Sequence, residues 1–155
     1  MNKLSKAALV LCYLLMSYTA FFFYPKWKQT KTEATISWDA SGYYLYLPAI
    51  FIYMDIKHCS FKDSMLEKYA PTPDFQQAFL HEASGNYVMK YSSGQAIVMS
   101  PFFFVAHIWA KHSHHYLADG FSFPYNICLG IGMFLYALIG LFFLRKILLN
   151  YFKDS

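Results

Sequence analysis

Three stretches of this chain contain no Asp, Glu, Lys or Arg: Ala7–Pro25, Tyr91–Ala110 and Gly120–Leu144, of 19, 20 and 25 residues. A helix rises about 1.5 Å per residue and a hydrocarbon core is about 30 Å thick, so each run is long enough to cross a bilayer. Helices suit that solvent because they satisfy their own backbone hydrogen bonds. Basic residues flank the runs: Lys3 and Lys6 precede the first, Lys26 and Lys28 follow it, Lys90 and Lys111 bracket the second, and Arg145 with Lys146 close the third. Only 14% of the 155 residues are charged and 21% are aromatic. A soluble domain carries about 25% charge. Disordered tails, disulfide-framed secreted mini-proteins and nucleic-acid-binding domains with a large basic excess are thereby excluded.

The expectation is an all-α membrane protein of about three transmembrane helices with a long first external loop. Its parts are span 7–25, loop 26–90, span 91–110, short loop 111–119, span 120–144 and tail 145–155. The first run has the basic start of a signal peptide but is long for one. It ends in Phe21-Phe22-Phe23-Tyr24-Pro25 with no small-x-small cleavage pattern, which favours an uncleaved anchor. The second run is diluted by Gln95, Ser100, Pro101 and His107, so a re-entrant or broken helix is the other reading there.

The 65-residue loop holds seven Lys and seven acidic residues. Its stretch Tyr43–Met54 is apolar and aromatic yet too short to cross, and predicts an interfacial helix kinked or divided by Pro48. Helices are also expected over Phe61–Tyr69 and, capped by Thr72, from Pro73 to about Ala83, before a turn at Ser84-Gly85-Asn86. Charge leaves the orientation open: a simple count prefers the N-terminus outside, but the rule weakens for loops longer than about 60 residues.

Few residues carry chemistry. Three cysteines without paired spacing give no disulfide framework or zinc knuckle. His107, His112, His114 and His115 near Asp119 lack metal-ligand spacing and read as a polar turn; no metal site is assigned. In Ser37-Trp38-Asp39-Ala40-Ser41-Gly42-Tyr43-Tyr44, Asp39 stands 14 residues after the first span. A carboxylate there can act as a general base toward a hydroxyl or ligate a divalent cation, and it can equally cap the helix that follows. Lys90 and Tyr91 can meet a lipid phosphate or simply belong to an aromatic belt with a snorkelling lysine.

The order of these features resembles the N-terminal part of a GT-C-type membrane glycosyltransferase, the superfamily of protein O-mannosyltransferases and lipid A aminoarabinose transferases. The residues that carry the resemblance are Asp39 followed by GYYLYLPAIFIYMD, then KYSSGQAIVMSPFFFVAH, ADGFSFPYN and LIGLFFLRKILLNYF. The resemblance implies a polyprenyl-phosphate-linked sugar donor, Asp39 as the catalytic carboxylate, and Lys90 and Tyr91 as substrate contacts. It also implies a divalent metal ion in some members, and a plasma (inner) membrane location with the first loop external or periplasmic. Such enzymes carry many more spans than three. The chain is therefore expected to be a partial copy, inactive alone, whose partners are the bilayer, the lipid-linked donor and the remaining spans, with no nucleic acid. The alternative is a non-catalytic small membrane subunit or packing module.

Overall fold

The computed structural model describes residues 3–152. The chain divides into two compact units, one made of the residues up to Pro25 with those from Ile131 onward, the other of Lys26–Gly130.

The first unit is a helical pair. Helix α1 covers Lys3–Tyr18 and runs on through a π-helical turn at Thr19–Phe23, where the Tyr24 N–H reaches back five residues to the Thr19 carbonyl (3.0 Å). The Thr19 hydroxyl donates to the Leu15 carbonyl (2.9 Å), the back-bonding that bends apolar helices. Its partner is the C-terminal part of the last helix, Phe123–Leu148. The two are antiparallel: Arg145 donates to the Ser5 hydroxyl (2.8 Å from Nη2), Tyr13 donates to the Leu138 carbonyl (2.9 Å), and Phe21 meets Phe134 edge-on at 5.3 Å. Leu11, Leu14, Leu15, Phe142, Phe143 and Ile147 are exposed. Such a surface suits hydrocarbon rather than water. Leu4–Lys28 and Phe123–Leu148 are both long and apolar enough to cross a membrane.

In the second unit, the helix expected over Tyr43–Met54, kinked or divided by Pro48, is two short helices that begin earlier, α2 (Trp38–Tyr44) and α3 (Tyr46–Phe51). Pro48 has no N–H to offer the Tyr44 carbonyl, so the hydrogen-bond ladder breaks where α2 ends. Helix α4 covers Lys62–Tyr69 and ends at Ala70, which is left-handed at φ 39° just before Pro71.

The helix expected from Pro73 to Ala83 is absent, and the chain is therefore not all-α. Strand β1 (Ala78–His81) pairs antiparallel with β2 (Asn86–Met89), Ala78 opposite Met89 and His81 opposite Asn86. Gly85, at φ 68°, makes the turn. Ala, Leu and Glu in this stretch suit a helix, but Tyr87-Val88-Met89 offers an aromatic and β-branched partner strand, and pairing outweighs such weak preferences.

Helix α5 (Gly94–His112) falls where the second span was expected, and α6 is Phe123–Leu148. Ala96, Met99, Phe103, Ala106 and Ala110 are buried at three- and four-residue spacing, against α2 and α3. Phe103 is fully enclosed, 5.9 Å from the Tyr44 ring and 5.7 Å from Tyr125.

A crossing α5 would put the loops before and after it on opposite sides of the membrane. Instead they bond to each other. Lys68 and Tyr69 donate to the Asp119 carboxylate (3.0 and 2.5 Å), Tyr53 to the Asp119 carbonyl (3.0 Å), and Tyr44 to the Gly120 carbonyl. Among the described residues two helices, Leu4–Lys28 and Phe123–Leu148, have the length and apolarity of spans, where the sequence predicts three. The uncharged second run arises because α5 is covered on one face and bare but apolar on the other, where Ile97, Val105, Ile108 and Trp109 are exposed.

Candidate functional site

The first turn of α2 sets the site. Ser37 precedes the helix in an extended conformation, and its hydroxyl donates to the Ala34 carbonyl (2.8 Å). Trp38 follows at φ 48°, a left-handed conformation that costs a bulky residue of order 1 kcal/mol, held by its N–H on the Pro71 carbonyl (3.0 Å). That reversal puts Asp39 one residue inside the helix, where a carboxylate is stabilised by the helix dipole. Asp39 is therefore not the N-cap, and its side chain is directed elsewhere: Oδ1 accepts the hydroxyl hydrogen of Tyr91, 52 positions away.

Tyr91 follows β2 and is partly exposed, with contacts from its neighbours. Its ring lies 4.2 Å from that of Tyr43, its carbonyl accepts the Tyr46 hydroxyl (2.5 Å), and the Lys90 ammonium stands 5.1 Å from its centroid. Gly42 makes this possible, because a Cβ there would come within 2.5 Å of the Tyr91 ring. Gly42→Ala is expected to push that ring off Asp39 and to destabilise the protein by about 1–3 kcal/mol. Thermal unfolding of the purified protein in detergent checks the loss, and an unchanged midpoint would contradict the packing described.

Beneath the pair lies Gln77, 1% exposed. Its Nε2 donates to the Ser41 and Thr72 hydroxyls (2.8 Å each), and its Oε1 accepts the Gln76 N–H (3.0 Å). The Lys90 N–H donates to the Gln77 carbonyl (3.0 Å), tying the end of the hairpin to this floor. The cleft so formed is lined by Trp38, Asp39, Thr72, Gln76, Gln77, Lys90 and Tyr91 and has a volume of about 20 Å³. That is room for about one water.

The hydrogen bond to Asp39 raises the Tyr91 pKa, and the hydrogen bond with Tyr91 raises that of Lys90. At neutral pH the cleft therefore presents a protonated phenol and an ammonium beside one carboxylate. No group of three or more His, Cys, Asp or Glu side chains gathers among the described residues. A divalent cation seeks several oxygen ligands, and a single carboxylate facing an ammonium is a donor set that does not fit one.

Asp39, Lys90 and Tyr91, singled out separately in the sequence, are thus brought together. Gln77, Gly42 and Tyr46 were not foreseen. Only the two small residues Ser41-Gly42 ahead of the aromatic Tyr43 hinted at a close approach. His107 and the His112–His115 turn lie elsewhere: His107 Nδ1 is 2.6 Å from the Tyr125 hydroxyl, and His112 Nδ1 is 2.9 Å from the Ile108 carbonyl. Comparison with protein-family models, curated proteins and solved structures gives no match.

Proposed function

We propose that this chain corresponds to the N-terminal region of a GT-C-type membrane glycosyltransferase that uses a polyprenyl-phosphate-linked sugar. The observation that carries the reading is the Asp39–Tyr91 hydrogen bond with the Lys90 ammonium over the same ring. It joins a base to two phosphate-binding groups at one point.

In the reaction, Asp39 takes the proton from an acceptor hydroxyl or amine as that group attacks the anomeric carbon. The bond from that carbon to the phosphate oxygen breaks, and polyprenyl phosphate leaves with the electron pair. Its added negative charge is met by Lys90 and the Tyr91 hydroxyl, cationic and protonated at neutral pH. Tyr91 acts as a placeholder, turning from the carboxylate to the phosphate when the donor arrives. A cleft of about 20 Å³ does not enclose a sugar. The donor would lie across its mouth, with further walls supplied by other membrane-spanning segments, the remaining part of the enzyme. No step requires a metal.

The same reading puts residues 29–122, between the two span-length helices, on the external or periplasmic side of the plasma (inner) membrane, with the bare face of α5 against lipid. Cys59 does not report on this, because it is fully buried and burial pushes its thiol up to about 11. Glu82 is exposed in the turn of the hairpin. With Cys12 and Cys128 replaced by Ser, Glu82→Cys is expected to react with a membrane-impermeant maleimide in intact cells, or in spheroplasts of a double-membraned cell. Reaction only after the membrane is permeabilised would overturn the placement.

A non-catalytic packing module in a larger membrane complex is the second reading. The smallness of the cleft, with its carboxylate already bonded, favours it. The two separate on Asp39→Asn: a base substitution abolishes sugar transfer by membranes containing the protein, whereas a packing module tolerates it.

A further inference from the structure

A second cavity, of about 320 Å³, shares no residue with the Asp39 cleft. Its walls include Trp27, Phe121 and Phe123, and three lysines, Lys28, Lys31 and Lys68, stand around it without any acidic lining residue. Lys68 is neutralised by Asp119, 3.0 Å away. Neither Lys28 nor Lys31 has a carboxylate partner among the described residues. The cavity therefore keeps two uncompensated positive charges over an aromatic floor. Lys31 is moreover held at φ 55°, in the left-handed region that a side-chain-bearing residue adopts at a cost.

Its depth in the membrane follows from the chain itself. Trp27 and Lys28 are the last residues of the stretch Leu4–Lys28, and Phe123 is the first of Phe123–Leu148, the two helices with the length and apolarity of spans. Trp27 and Gly130 pack together, a Cβ on Gly130 falling 3.3 Å from the indole. Tryptophan and lysine at span ends belong to the level where hydrocarbon gives way to headgroups. Volumes from about 300 Å³ upward are those of small-molecule sites.

We infer that this cavity holds the headgroup of an anionic glycerophospholipid from the surrounding bilayer, its phosphate between Lys28 and Lys31 and its acyl chains leaving past Phe123. The site binds and does not react: it has no carboxylate, thiol or imidazole to act on the lipid. The charge complementarity is with a net anion. A zwitterionic lipid carries its own cation and gains little from two more.

Native mass spectrometry of the purified full chain in detergent tests this, with phosphatidylglycerol, phosphatidylcholine and inorganic phosphate as probes. Phosphatidylglycerol is expected to give a one-to-one adduct that phosphatidylcholine does not match. Lys28→Gln with Lys31→Gln is expected to weaken it about 30-fold, about 2 kcal/mol at 1.4 kcal/mol per tenfold. Lys26→Gln, at a lysine already 3.8 Å from Glu33 and outside the lining, is expected to leave it intact. Asp39→Asn is also expected to bind lipid normally, so the inference and the enzymatic reading fail separately. Equal retention of the two lipids, or full retention by the double variant, would overturn it. Displacement of the lipid by inorganic phosphate would assign the cavity to the free ion instead.

Discussion

Asp119→Ala is expected to be the most destabilising single substitution outside the helical pair, by about 3 kcal/mol or more. The carboxylate accepts four hydrogen bonds: from Lys68 (3.0 Å), from Tyr69 (2.5 Å), and from the N–H groups of Phe121 (3.1 Å) and Ser122 (3.2 Å). Its side chain is only 18% exposed, so water replaces few of them. Each donor left unsatisfied and out of solvent costs about 1–3 kcal/mol. The backbone beside it is clamped as well. Tyr53 donates to the Asp119 carbonyl (3.0 Å) and Tyr44, fully buried, to that of Gly120. Gly120 takes φ 93°, and a Cβ there would lie 2.8 Å from Pro48, so the turn passes too close to α3 for any residue but glycine. Thermal unfolding in detergent should show a midpoint lower by about 10 °C or more. Asp119→Asn keeps an acceptor for the backbone donors and should fall between. A shift of a degree or two for Asp119→Ala would mean that the turn is held by its tyrosines alone.

Periodicity and charge revealed much of the architecture. The two span-length helices are legible because an unbroken uncharged run of that length beside Lys or Arg favours a helix able to cross a bilayer. Pro48 marked the break between α2 and α3 because a missing N–H acts locally. The second run misled because composition records how apolar a helix is, not what covers it. Ala96, Met99 and Phe103 face protein while Ile97 and Ile108 do not, and both sets look alike in a count. The hairpin was hidden for a related reason. Ala78-Phe79-Leu80-His81 has little strand character beyond Phe79 and is fixed as a strand by pairing with Asn86–Met89 across the turn. In the site, Asp39, Lys90 and Tyr91 stood out by residue type and by nearness to the interface. Gln77 did not, since a glutamine among polar loop residues gives no sign that it will be 1% exposed and bonded to two hydroxyls.

Asp39→Asn bears on function more than any other change. The amide keeps a carbonyl oxygen to accept the Tyr91 hydroxyl, so the contact between α2 and Tyr91 survives. What is lost is the ability to take a proton. General-base catalysis contributes about 10²- to 10⁴-fold, and the rate is expected to fall by that factor with the protein still present in the membrane. Tyr91→Phe keeps the ring on Gly42 and Tyr43 but removes one contact to the leaving phosphate, and should cost about 10-fold, the scale of one hydrogen bond to a charged group. The direct measurement is the initial rate of labelled sugar transfer from a polyprenyl-phosphate donor by membranes of cells whose own gene carries Asp39→Asn, at matched protein level. A loss of at least about 100-fold is the predicted result; transfer at the wild-type rate would contradict the assignment of Asp39 and leave the packing module as the reading that stands.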